Sequence, residues 1–243
     1  RPERIDWAKK YLQDRGYTFD IEQPGRLIAI HPGMGGSALN WPENYYVDLA
    51  RALLKEGHTV LLTGGHLEAH LIERIQSELK DDSAKLITYT GIDPGSTPPK
   101  FLGVDYLAAL FHEASVVVAP STGPLHVAVA LKKGVVSFYP PIRVQSALRW
   151  GPYTTGEDSA SILVPEVYCG EDFKCRGPVC NYYPCMKTIQ PRQALNEVHL
   201  QLSRVSREEE LARVVVEENK TPLSELPSET TETNIDEKPE TLK

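Results

Sequence analysis

The segment Pro120-Ser121-Thr122-Gly123-Pro124-Leu125-His126 sets two hydroxyls, a glycine and a histidine between an apolar run, 115–119, and a helical stretch, 127–132. A strand that ends in small hydroxyl residues and turns into a helix presents free backbone N–H groups to an anion. The chemistry this predicts is the binding of a phosphate-bearing ligand. Ser121 caps the helix and Thr122 donates a hydroxyl. Gly123 lets backbone approach a ligand closely. Pro124 costs nothing in a first turn, where its missing N–H has no helical partner to lose. His126 stands one turn in, within reach of a phosphate oxygen. A plain capped helix with a half-buried histidine fits the same residues.

Two further stretches belong to the same chemistry. His31-Pro32-Gly33-Met34-Gly35-Gly36-Ser37 leaves the end of an apolar run, and its N–H groups can cradle a diphosphate from the opposite side. His31, Gly35, Gly36 and Ser37 are its candidate contacts; a flexible turn is the alternative. The glycines do not have the dinucleotide-fingerprint spacing, and the lysine of a P-loop is absent. Glu68 follows Gly64-Gly65-His66-Leu67 at a helix start, where a carboxylate can accept ribose hydroxyls or simply complement the helix dipole. Arg143 and Arg149 flank a later loop, placed to meet a diphosphate or an acceptor, or to be ordinary solvated arginines.

Cys169, Cys175, Cys180 and Cys185 form a C-x5-C-x4-C-x4-C cluster. Zinc modules generally use tighter C-x2-C pairs, so structural zinc, disulfides and free thiols all stay open.

Positioning these residues requires a sheet. Short apolar strands are predicted at 27–30, 59–63, 85–89, 115–119 and 135–139, alternating with amphipathic helices at 1–16, 41–57, 66–79, 104–114 and 124–132. That alternation predicts an α/β fold: a Rossmann-like parallel sheet with helices on both faces. Ligands of such sheets bind at the carboxyl ends of the strands, where loops 31–37, 63–65 and 120–123 fall. Past residue 150 the pattern fades into a cysteine-containing loop, 166–187, and then one or two helices over 193–216. The expected division is a linker helix over 1–25, a ligand-binding domain over 26–217 and a disordered acidic tail over 218–243.

The chain of 243 residues has a net charge of −7 and 41% hydrophobic residues. Residues 208–243 alone carry eleven acids against four bases, so the body is neutral. Nothing basic enough for nucleic acid is present, and no apolar run is long enough for a transmembrane helix.

Taken in order, His31-Pro32-Gly33, then 35–42 (GGSALNWP), Leu62-Thr63-Gly64-Gly65 with Glu68, Ser121 to His126, and Cys180 with Cys185-Met186 resemble a known family. Over residues 26–190 the chain is similar to the carboxy-terminal half of the lipopolysaccharide heptosyltransferases, glycosyltransferase family 9. The resemblance implies the donor-binding domain of a GT-B enzyme, two Rossmann-like domains facing across a cleft. It implies inverting sugar transfer from a nucleotide-sugar such as ADP-heptose to a lipopolysaccharide-core or other glycan acceptor, with no cofactor required. UDP-sugars as donors and a non-catalytic interaction module are the alternatives. By resemblance, Ser121, Thr122 and Gly123 meet the diphosphate with His126 close by, Glu68 meets the ribose, and backbone at Leu102-Gly103 meets the base. The catalytic base and acceptor site belong to an amino-terminal domain outside this sequence. The implied location is the cytoplasm, peripheral to the inner membrane. The chain departs from the family at Ser121, where the strongest form has Asp, and at Leu39, where a Lys or Arg is common.

Overall fold

The computed structural model describes residues 1–19, 26–36, 38–154, 160–169 and 174–218. Ser37 and the acidic tail beyond 218 lie outside the described residues.

Helix α1 (Pro2–Gln13) precedes strand β1 (Leu27–Ile30), helix α2 (Glu43–Lys55) and strand β2 (Thr59–Thr63). Then come α3 (Ala69–Glu78), β3 (Leu86–Tyr89), α4 (Val104–Glu113), β4 (Val116–Pro120), α5 (Gly123–Ala130) and β5 (Gly134–Phe138). A short α6 (Ala147–Trp150), strand β6 (Ala160–Leu163) and the long α7 (Pro191–Glu218) complete the order. The strands form one sheet in the order β3-β2-β1-β4-β5-β6, and every pairing is parallel.

The inner strands are mostly apolar because both faces are covered, with Thr63 and Ser137 as buried hydroxyls among them. Alternate residues feed opposite layers. Ile28, Ile30, Val60, Leu62, Val116 and Val118 pack with α2, α3 and α7. Leu27, Ala29, Leu61, Val117 and Ala119 pack with α1, α4 and α5. Helix α2 shows how its sequence selects a face: Tyr46, Val47, Leu49, Ala50 and Leu53 are buried, at helical spacing. Each large one contributes roughly 2 kcal/mol of burial. Its start is fixed by Pro42 at the N-cap, its end by Gly57 at φ +88°.

Helix α1, expected as a linker, lies against α4. Ala8 and Leu12 are fully buried, and Arg4 Nε donates to Asp105 Oδ2 at 2.6 Å. Strand β6, which the sequence pattern did not reveal, pairs with β5 at the sheet edge.

The strand order reverses direction between β1 and β4. In an open parallel sheet this is where the loops leaving neighbouring strands part to opposite faces and leave a crevice. The loop after β1 begins at His31 and the loop after β4 at Ser121, so the two leading candidate segments border that crevice.

Candidate functional site

The loop after β1 is held from both ends. The His31 N–H donates to the Val118 carbonyl at 2.8 Å, which carries the β1–β4 ladder one residue further. At the other end Asn40 acts as a pin. Its Nδ2 donates to the Pro32 carbonyl at 2.6 Å, and its Oδ1 accepts from the Trp41 N–H at 2.8 Å and the Tyr46 hydroxyl at 2.9 Å. Trp41 is 2% exposed, stacks on Phe138 at 4.2 Å between ring centres, and donates its indole N–H to the Ile189 carbonyl at 2.8 Å. Between the anchors, Gly35 and Gly36 turn the chain at φ +57° and +76° and are exposed. Side chains rarely adopt that conformation, so glycine keeps the turn unstrained.

His31 is buried, 3% exposed. Its Nδ1 lies 3.0 Å from Thr63 Oγ1, and its Nε2 faces Glu68 Oε2 at 3.6 Å. Burial lowers the ring's pKa to about 4, against the smaller opposing pull of the Glu68 charge, so the imidazole is neutral at neutral pH. Glu68 ends a 3-10 turn, His66–Glu68, at the carboxyl end of β2. Its Oε2 accepts the Gly65 N–H at 2.8 Å. A Cβ on Gly33 would lie 1.8 Å from Glu68 Oε1, so the carboxylate occupies the space that only glycine leaves open. The structure therefore brings His31, Gly33, Thr63, Gly65 and Glu68 together. The Glu68 side chain stays 23% exposed and can accept from a ligand.

Across the crevice, α5 begins at Gly123. Thr122 rather than Ser121 occupies the N-cap, in extended backbone and without a side-chain cap bond. Its hydroxyl is not committed to capping, and Ser121 instead sits against the Tyr139 hydroxyl. The Tyr139 hydroxyl itself donates to the Trp150 carbonyl at 2.7 Å. Gly123 and His126 are exposed. An eight-residue helix whose first turn holds an exposed glycine, two hydroxyls before it and a histidine within it can coordinate an anion.

Leu102, placed by its N–H to the Gly91 carbonyl at 2.8 Å, is half-buried beside the exposed Phe101. The Phe101 ring lies against His66 at 4.2 Å, next in sequence to the Gly64-Gly65 turn. This aromatic pair was not singled out in the sequence; its two members are 35 residues apart and meet only in the fold. Gln145 was missed for the same reason: its Oε1 accepts the Leu39 N–H at 3.2 Å, tying the loop after β1 to the segment after β5.

Cys169, Cys175, Cys180 and Cys185 all line one cavity of about 190 Å³, with Leu39 and Ile142 on its wall. All four are thiols rather than disulfides, and burial, followed by the neighbouring cysteines, pushes the Cys185 thiol up. Among the described residues no three His, Cys, Asp or Glu side chains are arranged to hold a metal ion. Among them, too, no helix is long and apolar enough to cross a membrane.

The family model for glycosyltransferase family 9 (heptosyltransferase) matches residues 4–180. A putative glycosyltransferase of Haemophilus influenzae is 32% identical over 149 residues, which cover 61% of this chain and 39% of that protein. Lipopolysaccharide heptosyltransferase 2 of Salmonella typhimurium is 25% identical over 202 residues, 82% of this chain and 53% of that protein. The solved Escherichia coli ADP-heptose lipopolysaccharide heptosyltransferase II superposes with a TM-score of 0.58 at 21% identity, covering 82% of this chain and 52% of that one. The chain thus spans about half the length, or less, of the curated relatives it matches.

Proposed function

The chain belongs to glycosyltransferase family 9, and from that membership we propose that it is the nucleotide-sugar-binding half of an inverting, heptosyltransferase-like enzyme. The observation that carries the reading is the reversal of strand order between β1 and β4, with the helix start of α5 after β4 and the Glu68 carboxylate after β2 at the same carboxyl end of the sheet. The two ends suit the two ends of a nucleoside diphosphate. The Thr122 hydroxyl, the Gly123 N–H and His126 take the diphosphate, with Ser121 beside them. Gly35 and Gly36 approach it from the loop after β1. Glu68 accepts from the ribose, and Leu102 with the Phe101–His66 pair borders the base.

In this reading the domain works on the leaving group. Bond cleavage at the anomeric carbon builds negative charge on the diphosphate. N–H groups and a helix dipole already aimed there stabilise that charge more in the transition state than in the ground state. The favoured donor is ADP-heptose, the compound in the name of the Escherichia coli relative. The acceptor, a lipopolysaccharide-core or other glycan, and the general base belong to a partner domain, and the work is assigned to the cytoplasmic side of the inner membrane. The transfer itself is assigned no cofactor, and structural zinc at the four cysteines is not part of the proposal.

Calorimetric titration of the chain with ADP, ADP-heptose and UDP-glucose tests the reading. The expected order places both adenine nucleotides ahead of the uridine one. Thr122→Ala and His126→Ala each weaken ADP binding by about 1.5–3 kcal/mol, the worth of a hydrogen bond to a charged group. Heat from none of the three at millimolar ligand sinks the donor-site reading, and a preference for UDP-glucose reassigns the donor.

A further inference from the structure

The carboxylate of Glu68 is fixed from several sides by groups that do not themselves reach the crevice. Oε2 takes the Gly65 N–H, and Oε1 lies in the space over Gly33. His31 stands behind it, 3% exposed, and Thr63 stands behind His31, fully buried. A neutral imidazole has one N–H and one bare nitrogen. The carboxylate facing Nε2 at 3.6 Å favours the proton on that nitrogen, which leaves Nδ1 bare to take the Thr63 hydroxyl at 3.0 Å in preference to the Ile30 carbonyl, 3.4 Å from the same hydroxyl.

From this arrangement we infer that His31 is a positioning residue, the middle of a Thr63–His31–Glu68 relay that aims the Glu68 carboxylate at a vicinal diol. The inference rests on the donor-site reading and adds to it a residue that touches no ligand. Burial keeps the ring uncharged, so Glu68 meets the ligand with its full negative charge instead of a neutralised ion pair. The N–H dipole and the Gly65 N–H restrain the side chain while leaving acceptor positions open toward the crevice. An unrestrained glutamate would spend side-chain entropy on each binding event, and this one has spent it on folding.

The test compares ADP with 2′,3′-dideoxy-ADP on the full chain, by calorimetry, and reads the ratio of the two affinities. The parent chain should prefer ADP by roughly tenfold or more, as hydrogen bonds to a charged acceptor are worth. Glu68→Ala should bring the ratio close to one. His31→Leu should do the same, whereas His31→Gln, whose side-chain N–H replaces Nε2–H, should keep most of the preference. Thr63→Val, of equal volume, should lower the ratio part of the way, and it decides the matter if His31→Leu fails a thermal unfolding check. A merely structural histidine would weaken both ligands alike and leave the ratio unmoved. A full preference in His31→Leu, or in a folded Thr63→Val where His31→Leu does not fold, overturns the relay and leaves the donor site standing. A preference that survives Glu68→Ala removes Glu68 from the diol and the relay with it. No ADP binding by the parent chain removes the donor reading itself.

Discussion

Replacing the buried imidazole with an amide changes how stability depends on pH, and the size of the change follows from the burial of His31. In the unfolded chain a histidine takes its proton near 6.5; in the folded chain this ring does so only near 4. Between those values the unfolded state binds a proton that the folded state refuses. Falling pH therefore favours unfolding through that window, and the loss levels off below pH 4. At about 1.4 kcal/mol per pH unit, roughly 2.5 kcal/mol should be lost between pH 7 and pH 4.5. The assay is urea unfolding of the parent chain and of His31→Gln at both pH values. Whatever the two proteins differ by at pH 7, the parent should fall about 2.5 kcal/mol further than the variant by pH 4.5. His58, whose pKa is also lowered chiefly by burial, titrates in both chains and cancels in the comparison. Glu68 favours the charged ring and works the other way, as the smaller effect. A gap between the two proteins that stays constant from pH 7 to pH 4.5 refutes a neutral, buried His31.

Gly33→Ala should separate binding from stability. The new methyl displaces only the far end of the Glu68 side chain and no backbone, so unfolding free energy should drop by less than about 1 kcal/mol. ADP affinity should fall roughly tenfold in the same protein, and unchanged calorimetric affinity would count against Glu68 as a ligand group. Trp41→Ala should cost about 3–5 kcal/mol in urea unfolding, because it opens a cavity beside Phe138 and removes the donor to Ile189. A loss under about 1 kcal/mol would show that the loop after β1 is not anchored there.

The parallel sheet was legible because its central strands are short, predominantly apolar and bounded by glycine or polar turns. Strand β6 was not, because an edge strand such as Ala160–Leu163 is covered only in part and carries a mixed pattern. The strand-to-helix turn over 120–126 was legible from local residue types, and Gly123 and His126 are exposed there. The helix cap was misplaced by one residue, since serine and threonine side by side cap equally well on sequence alone and backbone geometry chose Thr122. His31 read as a loop residue facing a ligand, because nothing local shows that the ladder to Val118 continues through it. Its pairing with Glu68, 37 positions away, follows from the β1–β2 register and from no spacing in the chain.

Trp41 has one more consequence. Its indole N–H ends on the Ile189 carbonyl, and Cys185, Met186, Ala194 and Val198 share its apolar layer. All of these lie beyond residue 180, where the family match stops. The family model therefore stops short of residues that the domain's packing uses. What the last stretch must deliver is an oily wedge with one carbonyl at the right spot, a demand that many side-chain combinations can meet. A trimming experiment guided by the family model alone would cut away that support, and the first thing to sag would be the loop after β1, some 150 residues upstream.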